Sequence, residues 1–478
     1  MRRSRALPAA GGVCVLTNDL GEFALVDDET RLALEIGSLT REHPRFFDLQ
    51  ARGLHTSTGP IGGLADVVKR TRKAFLLEGP ALHIFVITLR CDHACQYCQV
   101  SRAPLDATGR DMSEVNAIEA LNRVFESDAP ALTIEFQGGE PSLRFDLVRQ
   151  IVEAAQGHPE RHERAIRFTM ATTLHRLTNE DLHFCKDHGI HLSTSIDGPD
   201  EIHTTQRALP TKDSWRRTVD ALARAREVLG EDGIVALPTI TKAMLNAPEA
   251  LIDTYVALGF RSIFLRPLAP YGFAQKTQRR LGYSTEEFAR FYDRALSYIL
   301  ALNERGVEIE ETTAAIALRH MLTPFHSGYV DLRSPAGAGL GVLVYNYDGR
   351  VYPTDEARMA AETGDGRFCL GDVRDSLDTL LSSPAMHWLA RGAIAEEHPD
   401  CRQCAFVPYC GADPVFHAIA QGEPDAPRIG TSFCERNLTL FDTLFSMIAA
   451  RQPAEMRTLH AWALGASPNA IKPGWIER

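Results

Sequence analysis

The spacing of apolar residues in this chain changes near residue 80. Before it, Gly12-Val13-Cys14-Val15-Leu16-Thr17 and Glu22-Phe23-Ala24-Leu25-Val26 predict two strands joined by a turn at Asn18-Asp19-Leu20-Gly21. A helix is expected from Asp28-Glu29-Thr30 through Ile36, with Gly37 as its stop, and another over Arg45–Gln50, ending near Gly53. From Leu82 onward, apolar β runs alternate with amphipathic helical ones. Strands are expected over Leu82–Leu89, Leu132–Phe136, Ile166–Ala171, Ile190–Ile196, Ile234–Ile240 and Ser262–Leu265. Helices are expected from Ser113, a capping serine, and over Leu147–Ala155, Asn179–His188, Trp215–Leu229 and Pro248–Leu258. Such alternation predicts an α/β fold with a parallel sheet, roughly six β-α units long.

A helix-rich bridge follows, from about Ser284 to Leu322. Next, Gly341–Pro353 reads as a hairpin turning on Asp348-Gly349. The last helix is expected near Leu438–Ala450, apolar along one face. The 478 residues divide into an N-terminal unit over 1–80, a β/α unit over 81–325 and a C-terminal unit over 326–478.

Composition narrows the function classes. A net charge of −11 gives no general attraction to nucleic acid or anionic membrane. No apolar run is long enough to span a bilayer, and no signal-type segment follows the basic Met1–Arg5, so a cytoplasmic location is expected. In a reducing compartment, clustered cysteines mean metal or redox chemistry rather than disulfides.

Three of the 10 cysteines, Cys91, Cys95 and Cys98, fall on one loop with C-x3-C-x2-C spacing, directly after the first β run. Thiolates that close repel one another unless a metal neutralises them. Zinc prefers four ligands in paired knuckles, whereas three cysteines suit an iron–sulfur cluster with one iron open. This loop, with an aromatic at Tyr97, resembles the radical S-adenosylmethionine (SAM) enzymes. The resemblance implies a partial (β/α)6 barrel and a 4Fe–4S cluster on Cys91, Cys95 and Cys98. It also implies SAM on the open iron, cleaved by one electron to a 5′-deoxyadenosyl radical. Gln137-Gly138-Gly139-Glu140-Pro141, after the second strand, then matches the motif for the SAM amino group, with the glycines allowing close backbone approach. Ser195 and Asp197, alternating onto one face at the end of the fourth strand, match the stretch for the ribose hydroxyls. His203 and Arg207 continue a His-x3-Arg pattern of the peptide-modifying branch, against a solvated helix face as the alternative. The N-terminal hairpin and helices resemble small peptide-recognition modules; a packing cap is the equal alternative.

A second group, Cys401, Cys404, Cys410 and Cys434, has C-x2-C-x5-C…C spacing. It resembles the SPASM extension of radical SAM peptide maturases, which usually holds two auxiliary 4Fe–4S clusters. Thr354, Ser376 and Pro414 stand where the resembled pattern has cysteines of the first. One auxiliary cluster is therefore expected, fully ligated by cysteine, with an electron-relay or structural role. Zinc is the rival occupant. Cys369 lies off the pattern, and Cys14 and Cys185 read as core residues.

Residues 82–102 and the Val-Tyr-Pro-Thr-Asp-Glu-Ala run at 351–357 resemble the HxsB maturases of His-Xaa-Ser systems. That likeness implies a ribosomal precursor peptide with His-Xaa-Ser repeats, cross-linked through radical chemistry. It also implies a second radical SAM protein beside this one and an external electron donor. The alternatives are a radical SAM protein activase of formylglycine or glycyl-radical type, or a non-catalytic iron–sulfur scaffold. No catalytic base can be singled out from the sequence.

Overall fold

The computed structural model describes residues 2–55, 67, 69, 71–162, 164–269, 271–272, 274–325 and 327–472. The chain divides into two compact units, one built from Met1–Phe75, Leu296–Ala336 and Gly392–Arg478, the other from Leu76–Ala295 and Gly337–Arg391.

In the second unit, five parallel strands form the body of the sheet: β4 (Leu82–Thr88), β6 (Ala131–Gly138), β7 (Ala165–Ala171), β8 (Ile190–Ser195) and β10 (Ile234–Leu237). Their spatial order is their chain order, with β4 beside β6 and β10 beyond β8. The helices between them are capped as their sequences require. Ser113 accepts from the Asn116 amide at the start of Glu114–Phe125, and Thr178 and Asp181 form a reciprocal capping box on Asn179–Asp187. This is the β/α order of the expected partial barrel. The fifth and sixth runs do not stay whole: Pro238 divides the fifth, and the strand expected over Ser262–Leu265 is only Ser262–Ile263, while Thr239–Ile240 pairs in parallel with the short Arg266–Pro267. Proline has no amide to donate to a ladder, so the strand breaks there.

The hairpin Val342–Tyr345 and Arg350–Tyr352 forms as expected, with Gly349 at φ +89° in its turn. It lies on the other side of β4, Val342 beside Leu82 in parallel register. β4 is thus an interior strand of this sheet, which explains why every residue from His83 to Thr88 is buried. His83, wholly buried, is held between Tyr345 Oη and Pro80 O, and burial pushes its pKa down to about 4.

In the first unit, the hairpin β2 (Val13–Asn18) and β3 (Phe23–Asp27) carries a third strand the sequence did not suggest, β1 (Arg2–Ala6). Its arginines hid it, because a strand of charged residues has no apolar alternation. The structure uses them individually: Arg3 pairs with Asp19 and donates to Arg402 O, and Arg5 clasps Asp442. Thr17 Oγ1 donates to Ala405 O and Tyr409 Oη to Gly21 O, so this sheet is bound to the segment carrying the second cysteine group. The outer edge of β3 is covered, since Arg45 and Arg52 donate to Leu25 O and Phe23 O. The helix expected near Leu438–Ala450 begins earlier, at Ser432, and is not the last; Pro453–Leu464 follows it.

Candidate functional site

The first cysteine loop leaves the end of β4 and is pinned at its base by the chain that returns beside it. The Cys91 amide donates to Ala103 O, and Arg90 forms a two-point ion pair with Asp111, which also accepts from Thr88 Oγ1. Further on, β5 (Ala94–Cys95) pairs antiparallel with β9 (Arg207–Ala208), placing Cys95 opposite Arg207. Cys91 and Cys98 are buried, Cys95 is half-buried, and all three thiols are free.

Burial raises the Cys91 thiol well above its ordinary range and Cys95 to about 11, against the pull of Arg207. The protein alone therefore favours the thiol form of Cys91 and Cys95. A bound metal has to supply the charge that makes them ligands. The donor set also fits a cluster better than one ion. A tetrahedral zinc site with bonds of about 2.3 Å holds its sulfurs about 3.8 Å apart. Among the described residues, only Cys91, Asp92 and His93 bring three ligand atoms within 4.8 Å, so the three sulfurs do not gather that closely. Asp92 and His93 are otherwise engaged. His93 bridges Asp92 Oδ1 and Ser214 Oγ, and Arg176 reaches Asp92 Oδ2.

The Gly-Gly-Glu turn lies against this loop's root. The Gly139 amide donates to Thr88 O and the Glu140 amide to Arg90 O. A Cβ on Gly138 would stand 2.0 Å from Thr88 O, and one on Gly139 2.3 Å from Arg90 O. The glycines are thus required by a backbone-on-backbone contact within the protein, a role not anticipated from the motif. Glu140 is fully buried. Its Oε1 accepts from the Ser142 amide and hydroxyl and from Thr172 Oγ1, and its Oε2 from the Thr173 amide. The carboxylate ties the end of β6 to the end of β7.

Ser195 is half-buried at the last position of β8, while Asp197 is fully buried. Asp197 Oδ2 accepts from Tyr97 Oη at 2.5 Å and Oδ1 from the Thr239 amide at 3.1 Å. Arg207 Nη1 completes the chain by donating to Tyr97 Oη at 2.8 Å. Burial raises Asp197, with Arg207 opposing it; Arg207 itself is held charged by Cys95, Tyr97 and Asp197 despite its own desolvation. His203 is wholly buried rather than on a solvated face. With His93 and His175 it shares the hydroxyls of Ser214 and Thr218. Burial lowers His175 to about 4 and His203 to about 2, so these two rings are neutral. Thr172, Thr173 and His175 were not anticipated. The polar run after the third apolar strand is their one sequence signal.

The second cysteine group lies in the other unit. Cys401 and Cys404 share a turn, the Cys404 amide donating to Cys401 O, and Cys410 follows on the next turn. Cys434 sits in the first turn of Ser432–Ala450, its amide capped by Thr431. All four cysteines line one cavity of about 390 Å³. Together they supply the donor set of a four-thiolate metal site. Burial raises Cys401 to about 12 and also raises Cys410. Thr354, Ser376 and Pro414 each serve a helix start: Thr354 and Ser376 are N-caps, and Pro414 is the first residue after the capping Asp413. Cys369 is half-buried, its thiol donating to Gly371 O, and Cys14 and Cys185 are core residues.

Residues 85–247 match the family model described as the radical SAM superfamily. The PqqA peptide cyclase of Bradyrhizobium diazoefficiens is 24% identical over 176 residues, 35% of this chain and 44% of that protein. Among solved structures, anSMEcpe with bound AdoMet and Kp18Cys peptide superposes with a TM-score of 0.63 at 17% identity, covering 77% of this chain and 97% of that one. Streptococcus suis SuiB bound to precursor peptide SuiA gives 0.54 at 13% identity, covering 90% and 98%. The chain has a radical SAM α/β fold, and the family match is confined to residues 85–247. Among the described residues, no helix is long and apolar enough to cross a membrane.

Proposed function

We propose that this chain is a radical SAM maturase that modifies a ribosomally made peptide. The observation that carries the reading is the fastening of the Cys91–Cys98 loop, at the C-terminal end of β4, to Arg207 through β5–β9 pairing and through Tyr97. In this reading Cys91, Cys95 and Cys98 hold a 4Fe–4S cluster. When bound, that cluster and SAM supply a 5′-deoxyadenosyl radical able to take a hydrogen atom from the substrate.

The residues around it divide the remaining work. Arg207 sets a half-buried cation opposite Cys95, offsetting the negative charge of ligating thiolates. Gly138 and Gly139 let the turn after β6 close on the loop's root, and Glu140 fixes that turn through its four donors. Asp197 positions Tyr97. Ser195, half-buried at the strand end, remains for direct contact with SAM. The face of β6 opposite buried Leu132, Ile134 and Phe136 carries Thr133, Glu135 and Gln137, with Gln137 Nε2 donating to Glu135 Oε1 at 2.6 Å. These side chains are suited to hold a peptide backbone.

A peptide substrate is supported by the peptides named for anSMEcpe, SuiB and the PqqA cyclase. Cross-linking as the outcome rests on the cyclase alone, and His-Xaa-Ser repeats rest on residues 82–102. Cys401, Cys404, Cys410 and Cys434 hold one auxiliary cluster in this reading, fed by an external electron donor. The likeness of residues 82–102 also supports a second radical SAM protein as a partner.

Anaerobically reconstituted protein given dithionite and SAM is expected to release 5′-deoxyadenosine, and alanine at Cys91, Cys95 and Cys98 to abolish it. Co-expression with the precursor peptide is expected to yield a product lighter by two hydrogens. Absence of 5′-deoxyadenosine from iron-loaded protein refutes the enzyme reading; an unchanged peptide mass refutes cross-linking.

A further inference from the structure

The cavity with the four C-terminal cysteines has one wall residue that the chain itself leaves incomplete. Arg428 is 3% exposed, yet no carboxylate among the described residues pairs with its guanidinium. Its Nη2 donates to Gly392 O and Pro424 O, and Nη1 has no acceptor. Arg5, on the same cavity wall, has Asp442. Asp400 and Asp413 are near enough to favour the Arg428 charge, but Asp400 Oδ2 is taken by the backbone amides of Arg428 and Ile429, and Asp413 caps the helix at Phe416. An arginine cannot escape by losing its proton. A buried cation needs an anion, and a buried N–H needs an acceptor.

The position is also held stiffly. Gly392 is a glycine because a Cβ there would meet Pro424 O at 1.9 Å and Arg428 Nη2 at 2.9 Å. Thr431 binds Arg428 O through its amide and hydroxyl before capping the helix that presents Cys434. Four half-buried cysteine thiolates around a 4Fe–4S core would carry net negative charge in both oxidation states and gain one more on reduction. Cys401 and Cys410 are the sulfurs whose field on Arg428 is felt.

We infer that Arg428 is the built-in counter-charge of this cysteine site, its Nη1 donating to a sulfur of the group held there, and that it raises the reduction potential of that group. The inference rests on the auxiliary-cluster reading above. Reduction takes one electron from the external donor, and Arg428 keeps its proton throughout. Because the cation is fixed, it favours the more negative reduced state over the oxidised one.

The test uses full-length protein with Cys91, Cys95 and Cys98 changed to alanine, so that only the C-terminal site can load. Iron, sulfide and zinc are counted after anaerobic reconstitution, and the midpoint potential is read by electron paramagnetic resonance titration, in this parent and with R428Q or R428K added. The expected result is a loaded R428Q with a lower midpoint and R428K between it and the parent. Loss of iron from R428Q with retention in R428K also supports a counter-charge. An unchanged midpoint in loaded R428Q, or loss of iron from both variants, overturns the inference. A parent that binds zinc or no metal refutes the cluster reading itself, and is recognised before any Arg428 variant is compared.

Discussion

The Tyr97 hydroxyl donates to the fully buried Asp197 at 2.5 Å, joining the cysteine loop to the end of β8 across a sequence separation of 100 residues. Arg207 donates to the same phenolic oxygen, so one side chain satisfies an anion and a cation. Tyr97→Phe leaves both without that partner and is expected to cost about 2–4 kcal/mol, measured by chemical denaturation of metal-free protein. Asp197→Asn keeps an acceptor toward Tyr97 and is expected to cost less. A normal stability for Asp197→Asn coupled with a large rise in KM for SAM would instead place Asp197 on the ligand.

Gly139→Ala should fail for a reason unrelated to SAM. Its methyl would overlap Arg90 O and Leu89 O, at 2.3 and 2.5 Å, and backbone there cannot move aside. A loss of about 3 kcal/mol is expected in the absence of ligand. Gly366→Ala, at a glycine with nothing within 4 Å, is the control and should be near neutral.

Iron content separates the two cysteine groups. Reconstituted protein is expected to hold about eight iron atoms per chain, and Cys410→Ala about four. Thr354→Ala and Ser376→Ala should leave the iron count unchanged while each costs about 1 kcal/mol, because both hydroxyls cap helices. A fall in iron for either would restore those positions to a metal site.

Stability should depend on pH through Glu310, whose pKa is raised to about 7 by burial and by neighbouring Glu311. The folded chain keeps this proton up to about pH 7, whereas an unfolded glutamate releases it above about 4.5. Between those values the folded state binds more protons, so the stability present at low pH is lost as pH rises through the window. The loss is roughly 3 kcal/mol. Glu310→Gln should flatten that slope and melt higher than the parent at pH 8; an unchanged pH profile counts against the assignment.

The sequence by itself determined what is carried by short spacing. Cysteines within a few residues, strand and helix periods, capping residues and the Asp348-Gly349 turn act over one or two turns of chain, and the first four strands of the β/α unit, the Ser113 cap and that turn stand where their local pattern put them. It could not show that β1 exists, because its arginines are matched to partners as distant as Asp442. It could not show that the Val342–Tyr345 strand covers β4, since strand neighbours are chosen by burial over hundreds of residues. Nor could it show that Asp197 faces Tyr97 and Arg207 or that Arg428 lines the four-cysteine cavity with its Nη1 unpartnered. Those facts depend on which buried charges find a partner once the chain has closed, and the low dielectric of the interior makes each such meeting, or its absence, decisive.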